Sequence, residues 1–94
     1  MADLKLIQSM GNVAARNIER RYPFLQVKFF AIKGWNEMRV FIAEKHDTRS
    51  KTGRLYDLGE MMPPQEPLII KDVLALLESR IEPHVKGFLR TNVE

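Results

Sequence analysis

The sequence predicts an α+β fold in the order α-β-β-β-α, a three-stranded antiparallel sheet with two helices packed on one face. Three observations predict it. Residues 22–45, YPFLQVKFFAIKGWNEMRVFIAEK, place an apolar residue at every second position on either side of a Gly-Trp pair. Residues 4–21 and 70–90 carry apolar side chains at three- and four-residue spacing instead, which is the period of a helix. Between them, Leu55-Tyr56-Asp57-Leu58 is a short run of strand character. Elements with one apolar face must bury it against each other, and two helices over three strands satisfy every pattern.

The first helix is read over residues 4–21. Leu4, Ile7, Gly11, Ala14 and Ile18 form one stripe, and Leu6, Met10 and Val13 widen it to roughly half the circumference. An arc that broad belongs to a well-buried helix or to one that contacts two surfaces. Gly11 and Ala14 are small enough to admit a sheet or a partner helix at close range. Asp3 is the candidate N-cap. Arg16, Arg20 and Arg21 lie near the C-terminal end, where positive charge suits the helix dipole. Tyr22-Pro23 ends the helix, because a residue before proline avoids the α region.

The hairpin follows. Leu25, Val27, Phe29 and Ala31 share one face of the first strand, and Met38, Val40 and Ile42 share one face of the second. Enrichment in β-branched and aromatic residues with period two marks both as strands. Gly34-Trp35 suits a two-residue type II′ turn, whose first position needs positive φ. That turn sets Lys33 against Asn36, and hence Ala31, Phe29 and Val27 against Met38, Val40 and Ile42, so pattern and turn agree. On the opposite face Phe30 meets Arg39 and Lys28 meets Phe41. Three readings of these pairs stand side by side: cationic stems covering two rings, a face buried in a dimer, or a platform on which bases stack.

Residues 45–54, KHDTRSKTGR, hold Lys45, Arg49, Lys51 and Arg54 against one aspartate, with hydroxyls and a glycine between them. Nothing apolar anchors the stretch, so it reads as a loop. Lysine, arginine, serine and threonine are the residue types that contact phosphates, although a charge run is also the ordinary make-up of a solvated hairpin tip. After the third strand, Met61-Met62-Pro63-Pro64-Gln65-Glu66-Pro67 excludes regular structure, since three prolines remove their N–H donors, and reads as an extended connection. In the last helix Ile70, Leu74, Leu77, Ile81, Val85 and Phe88 keep one phase, with Val73 beside them. Pro83 falls inside that run. It either kinks a continuous helix or opens a new one as its first residue; the unbroken phase favours the kink.

With 94 residues the chain makes one small domain, 1–94. Its hydrophobic fraction of 45% is too high for a disordered chain. The absence of cysteine excludes disulfides, thiolate chemistry and cysteine zinc sites. No secretory signal pattern opens the chain, and no apolar run reaches bilayer length; the expectation is a cytoplasmic protein with no membrane partner. The net charge of +3 is uneven. Residues 1–54 hold eleven Lys/Arg and five Asp/Glu, or +6, and residues 55–94 hold four and seven, or −3. Such a chain can bind polyanions through one half or stack on itself, unless the fold joins the halves.

No catalytic constellation emerges. His46 and His84 lie on different elements, His46-Asp47 is adjacent where a base and its orienter normally meet in space, and no third metal ligand can be named. Lys51-Thr52-Gly53 matches one piece of the serine β-lactamase set, but no Ser-x-x-Lys accompanies it, and the upstream glycines of a Walker loop are missing. Glu44, Asp57 and Glu60 do not by themselves make a metal-dependent nuclease. The order α-β-β-β-α resembles that of the double-stranded RNA-binding domain. That family starts its second helix with a basic Lys-Lys-x-Ala-Lys-like run. Here the region reads Pro67-Leu68-Ile69-Ile70-Lys71-Asp72 with a single lysine, so the resemblance covers element order only and carries over no residue.

The expected function is therefore a non-enzymatic binding module without cofactor or metal. Nucleic acid, or another polyanionic surface, is the first partner class, held by Lys45, Arg49, Lys51 and Arg54, with Arg16 and Arg20 extending the footprint and Lys28, Phe30, Arg39 and Phe41 offering a stacking face. The alternative is a protein-interaction or assembly subunit, a homodimer or an adaptor for an acidic protein surface, using the first helix and the outer sheet face.

Overall fold

The computed structural model describes residues 4–46, 52–61 and 69–92, with Asn92 by its backbone alone. Asp3 and the proline-rich residues 62–67 lie outside them. The elements follow the expected order: α1 (Leu4–Arg21), β1 (Leu25–Trp35), β2 (Met38–Glu44), β3 (Arg54–Gly59) and α2 (Ile70–Asn92). The strands lie in sheet order β1-β2-β3, with both pairings antiparallel.

The hairpin register is the one that the apolar pattern demands. Val27 opposes Ile42, Phe29 opposes Val40 and Ala31 opposes Met38. Gly34 has φ of 60°, a conformation that glycine adopts without strain. The Asn36 N–H donates to the Lys33 carbonyl at 3.2 Å, but the Lys33 N–H donates one residue further on, to the Glu37 carbonyl at 3.1 Å. The turn is thus tight on one side and carries an extra residue on the other.

Both helices cover one face of the sheet. Val27, Phe29 and Ala31 of β1, Met38, Val40 and Ile42 of β2 and Leu58 of β3 form a single cluster with Ile7, Met10, Ala14, Ala15 and Ile18 of α1 and Val73, Leu77, Ile81, Val85 and Phe88 of α2. At Gly11 α1 seats tightly on the sheet, for the Phe29 ring fills the space that a Cβ there would occupy.

Three expectations are corrected. Leu4, Leu6 and Val13 are exposed and Ala15 is buried. Leu6 and Val13 lie more than a quarter turn from the Ile7–Ala14–Ile18 line, and seating the small-residue face on the sheet turns them outward. Ile70, expected on the buried stripe of α2, is exposed at the first turn. Trp35 and Met61, read as a turn residue and part of an extended connection, both join the core. The Met61 N–H donates to the Trp35 carbonyl at 2.8 Å, which folds the chain after β3 against the hairpin tip. Pro83 is accommodated inside one continuous helix; its ring is exposed, so the carbonyl one turn back that loses its partner is on the wet side.

Candidate functional site

Where β1 begins, β2 ends and β3 begins, the fold gathers positive charge. The Lys45 N–H donates to the Phe24 carbonyl at 2.8 Å, tying the end of β2 to the start of β1 beneath the C-terminal end of α1. A cleft of about 270 Å³ opens there, lined by Arg16, Glu19 and Arg20 of α1, by Pro23, Leu25 and Gln26, and by Lys45. Three of the predicted cations, drawn from two separate stretches of sequence, therefore face one opening.

The groups of the cleft are not equally committed. Glu19 is partly structural: one carboxylate oxygen accepts the Val27 N–H at 2.8 Å and the other accepts from the Arg16 guanidinium at 3.2 Å. Arg20 donates to the Asn17 side-chain carbonyl at 3.3 Å. Lys45 is exposed and takes part in no ion pair among the described residues. Arg21, its neighbour in sequence notwithstanding, turns away from the cleft to Glu78 at 2.8 Å and Glu82 at 3.7 Å. Arg54 is exposed at the start of β3, where its backbone opposes Ile42, at this same end of the sheet. Arg49 and Lys51 lie outside the described residues.

The second predicted surface is the sheet face away from the helices. Its neighbouring rows across β1, β2 and β3 read Lys28–Phe41–Leu55 and Phe30–Arg39–Asp57. Phe30, Ile32, Arg39, Phe41 and Leu55 line a shallow depression of about 440 Å³. Phe30 and Lys28 are exposed, whereas Arg39 and Phe41 are half-buried. Arg39 is held by Glu37 at 2.8 Å. Phe41 lies under Gly53, whose missing side chain leaves room for the ring. Of the four residues read as a stacking face, two are thus already engaged within the chain. The depression is lined as much by the aliphatic Ile32 and Leu55 as by rings.

Sequence reasoning missed Glu19, Gln26 and Leu55 as lining residues. Gln26 and Ile32 share the parity of Phe30, so their face was legible. Leu55 was not, because its pairing with Phe41 is set across the 45–54 stretch, which carries no turn motif that fixes a register. The histidines stay apart. His46 is exposed in the turn after β2, and His84 stacks on Tyr56 with ring centroids 5.0 Å apart. Burial raises the Tyr56 hydroxyl above its ordinary pKa of 10.0. Among the described residues no three His, Asp or Glu side chains gather as metal ligands would, and no helix is long and apolar enough to cross a membrane. Compared with known proteins, the chain matches no family model, and no curated protein or solved structure is significantly similar to it.

Proposed function

We propose that the chain is a non-enzymatic binding module for a polyanion, nucleic acid first, gripped at the cleft of Arg16, Arg20 and Lys45. The observation that carries this reading is that Lys45, the root of the basic 45–54 stretch, opens onto the same cleft as the two helix arginines. Guanidinium and ammonium groups converging on one opening are the usual means of holding phosphate oxygens. Pro23 and Leu25 add apolar wall, and the Gln26 amide adds a donor and an acceptor. Glu19 lowers the net charge of the cleft, but its oxygens are taken by Arg16 and the Val27 N–H, which leaves Lys45 and Arg20 the stronger anchors.

Fluorescence anisotropy with labelled single- and double-stranded DNA and RNA, at low and moderate salt, tests the reading. Each phosphate contact that displaces a counterion adds about 0.7 to 0.9 to the slope of log affinity against log salt. Three such cations predict a slope of roughly −2 to −3. Replacing Arg20 and Lys45 together by alanine is expected to flatten the slope by about one per cation removed. Absence of binding to every oligonucleotide at low salt would overturn the reading.

A further inference from the structure

We infer that the outer sheet face docks on the same face of a second copy of this chain, as a two-fold dimer. The face carries Lys28 on its β1 margin and Asp57 on its β3 margin, in neighbouring rows. Both are exposed, and neither takes part in an ion pair among the described residues. Phe30, Ile32 and Leu55, at 38%, 48% and 55% exposure, lie between or beside them. A surface that binds itself must be complementary to itself. A two-fold axis parallel to the strands lays β1 of one copy over β3 of the other, so that each Lys28 meets Asp57 of the other copy. The rows differ by about 7 Å along the strand, which a lysine stem spans.

Phe41 and Arg39, both on the central strand β2, lie nearest the axis, and each meets its own copy. The carboxylate of Glu37, 2.8 Å from Arg39, neutralises that arginine and removes its like-charge penalty. Asp57 spends one carboxylate oxygen on the Gly59 N–H at 2.8 Å and keeps the other for the partner. Pairing through the β1 edge is closed off, since Gln8 and Glu19 already occupy it. One face of a three-stranded sheet gives a footprint near the lower bound of about 1,000 Å² for specific interfaces. An interface of that size fits a reversible monomer–dimer equilibrium better than an obligate dimer.

Sedimentation equilibrium of the full chain without nucleic acid, from low micromolar to millimolar concentration, is the test. The wild type dimerises, and K28E and D57K each raise the dissociation constant by about tenfold or more. An equimolar mixture of K28E and D57K dimerises again, because both contacts of the mixed dimer join opposite charges. Circular dichroism confirms that each variant is folded; if D57K is not, having lost its bond to Gly59, then K28E alone decides. A wild type that stays monomeric throughout overturns the proposal, as does a dimer indifferent to K28E or a mixture of folded variants that fails to reassociate. A monomer whose oligonucleotide affinity falls on K28E would assign the face to nucleic acid and overturn self-docking equally. The cleft residues are untouched by these variants, so the outcome is independent of the polyanion test.

Discussion

Two glycines illustrate how much one missing methyl group decides. At Gly11 a Cβ would run into the Phe29 ring, which is 3% exposed and has nowhere to go. At Gly87, inside α2, a Cβ would meet nothing within 4 Å. The same substitution should therefore have opposite signs at the two sites. Gly11→Ala gains about 1 kcal/mol of helix propensity and loses about 1–3 kcal/mol to overpacking, so its urea midpoint falls. Gly87→Ala keeps the propensity gain of about 0.5–1 kcal/mol and its midpoint rises. The first close approach was legible in the sequence as a small residue on an apolar stripe. The second such contact, Gly53 over Phe41, was not, because it joins a loop to a strand face and no periodicity links the two.

At the level of the element, the two edges of the sheet are treated differently. An edge strand offers unpaired N–H and C=O groups to any passing chain. Along β1 these are taken by side chains of α1: Gln8 donates to the Phe29 carbonyl at 2.7 Å and accepts the Ala31 N–H at 2.9 Å, and Glu19 accepts the Val27 N–H. From α2, Arg80 donates to the carbonyls of Leu58 and Glu60, at 3.3 and 3.0 Å, near the end of β3. Removing a partner from a part-buried backbone group costs about 1–3 kcal/mol. Gln8→Ala is therefore expected to lower stability by about that much in urea titrations and to quicken aggregation, as followed by light scattering. Helix boundaries and strand register were readable from spacing because each obeys a short-range rule. The roles of Gln8, Glu19 and Arg80 were not, since a polar residue on a helix flank looks the same whether it faces water or a strand edge.

On the scale of the whole molecule, the charge asymmetry of the sequence is only partly kept. The first and last helices meet: Arg21 pairs with Glu78 and Glu82, Asn17 donates to Glu78 at 3.0 Å, and the Tyr22 hydroxyl donates to Glu82 at 3.0 Å. These interactions neutralise Arg21 and leave Arg16, Arg20 and Lys45 at the cleft. Burial, and then the Glu82 carboxylate, raise the Tyr22 hydroxyl above its ordinary pKa of 10.0; burial does the same for Tyr56. A raised folded pKa means that the folded chain holds its phenolic protons where the unfolded chain has released them. The contribution is complete below pH 10.0 and is lost as pH rises through the folded values. Urea midpoints are expected to fall as pH rises above 10.0, and to fall less in Tyr22→Phe, which has one phenol fewer to ionise. The separate stretches that form the cleft could be named from sequence, but their convergence depends on the Lys45–Phe24 bond, which is long-range information.

The clasp between the two helices also bears on how the protein is made. Every strand lies beside its neighbour in the chain, so α1 and the hairpin can come together as soon as they leave the ribosome. Val73, Leu77, Ile81, Val85 and Phe88 arrive only once α2 has been synthesised. Until then the nascent sheet shows an oily side to water or to a chaperone, and a synthesis stalled before α2 should yield a sticky, protease-sensitive fragment.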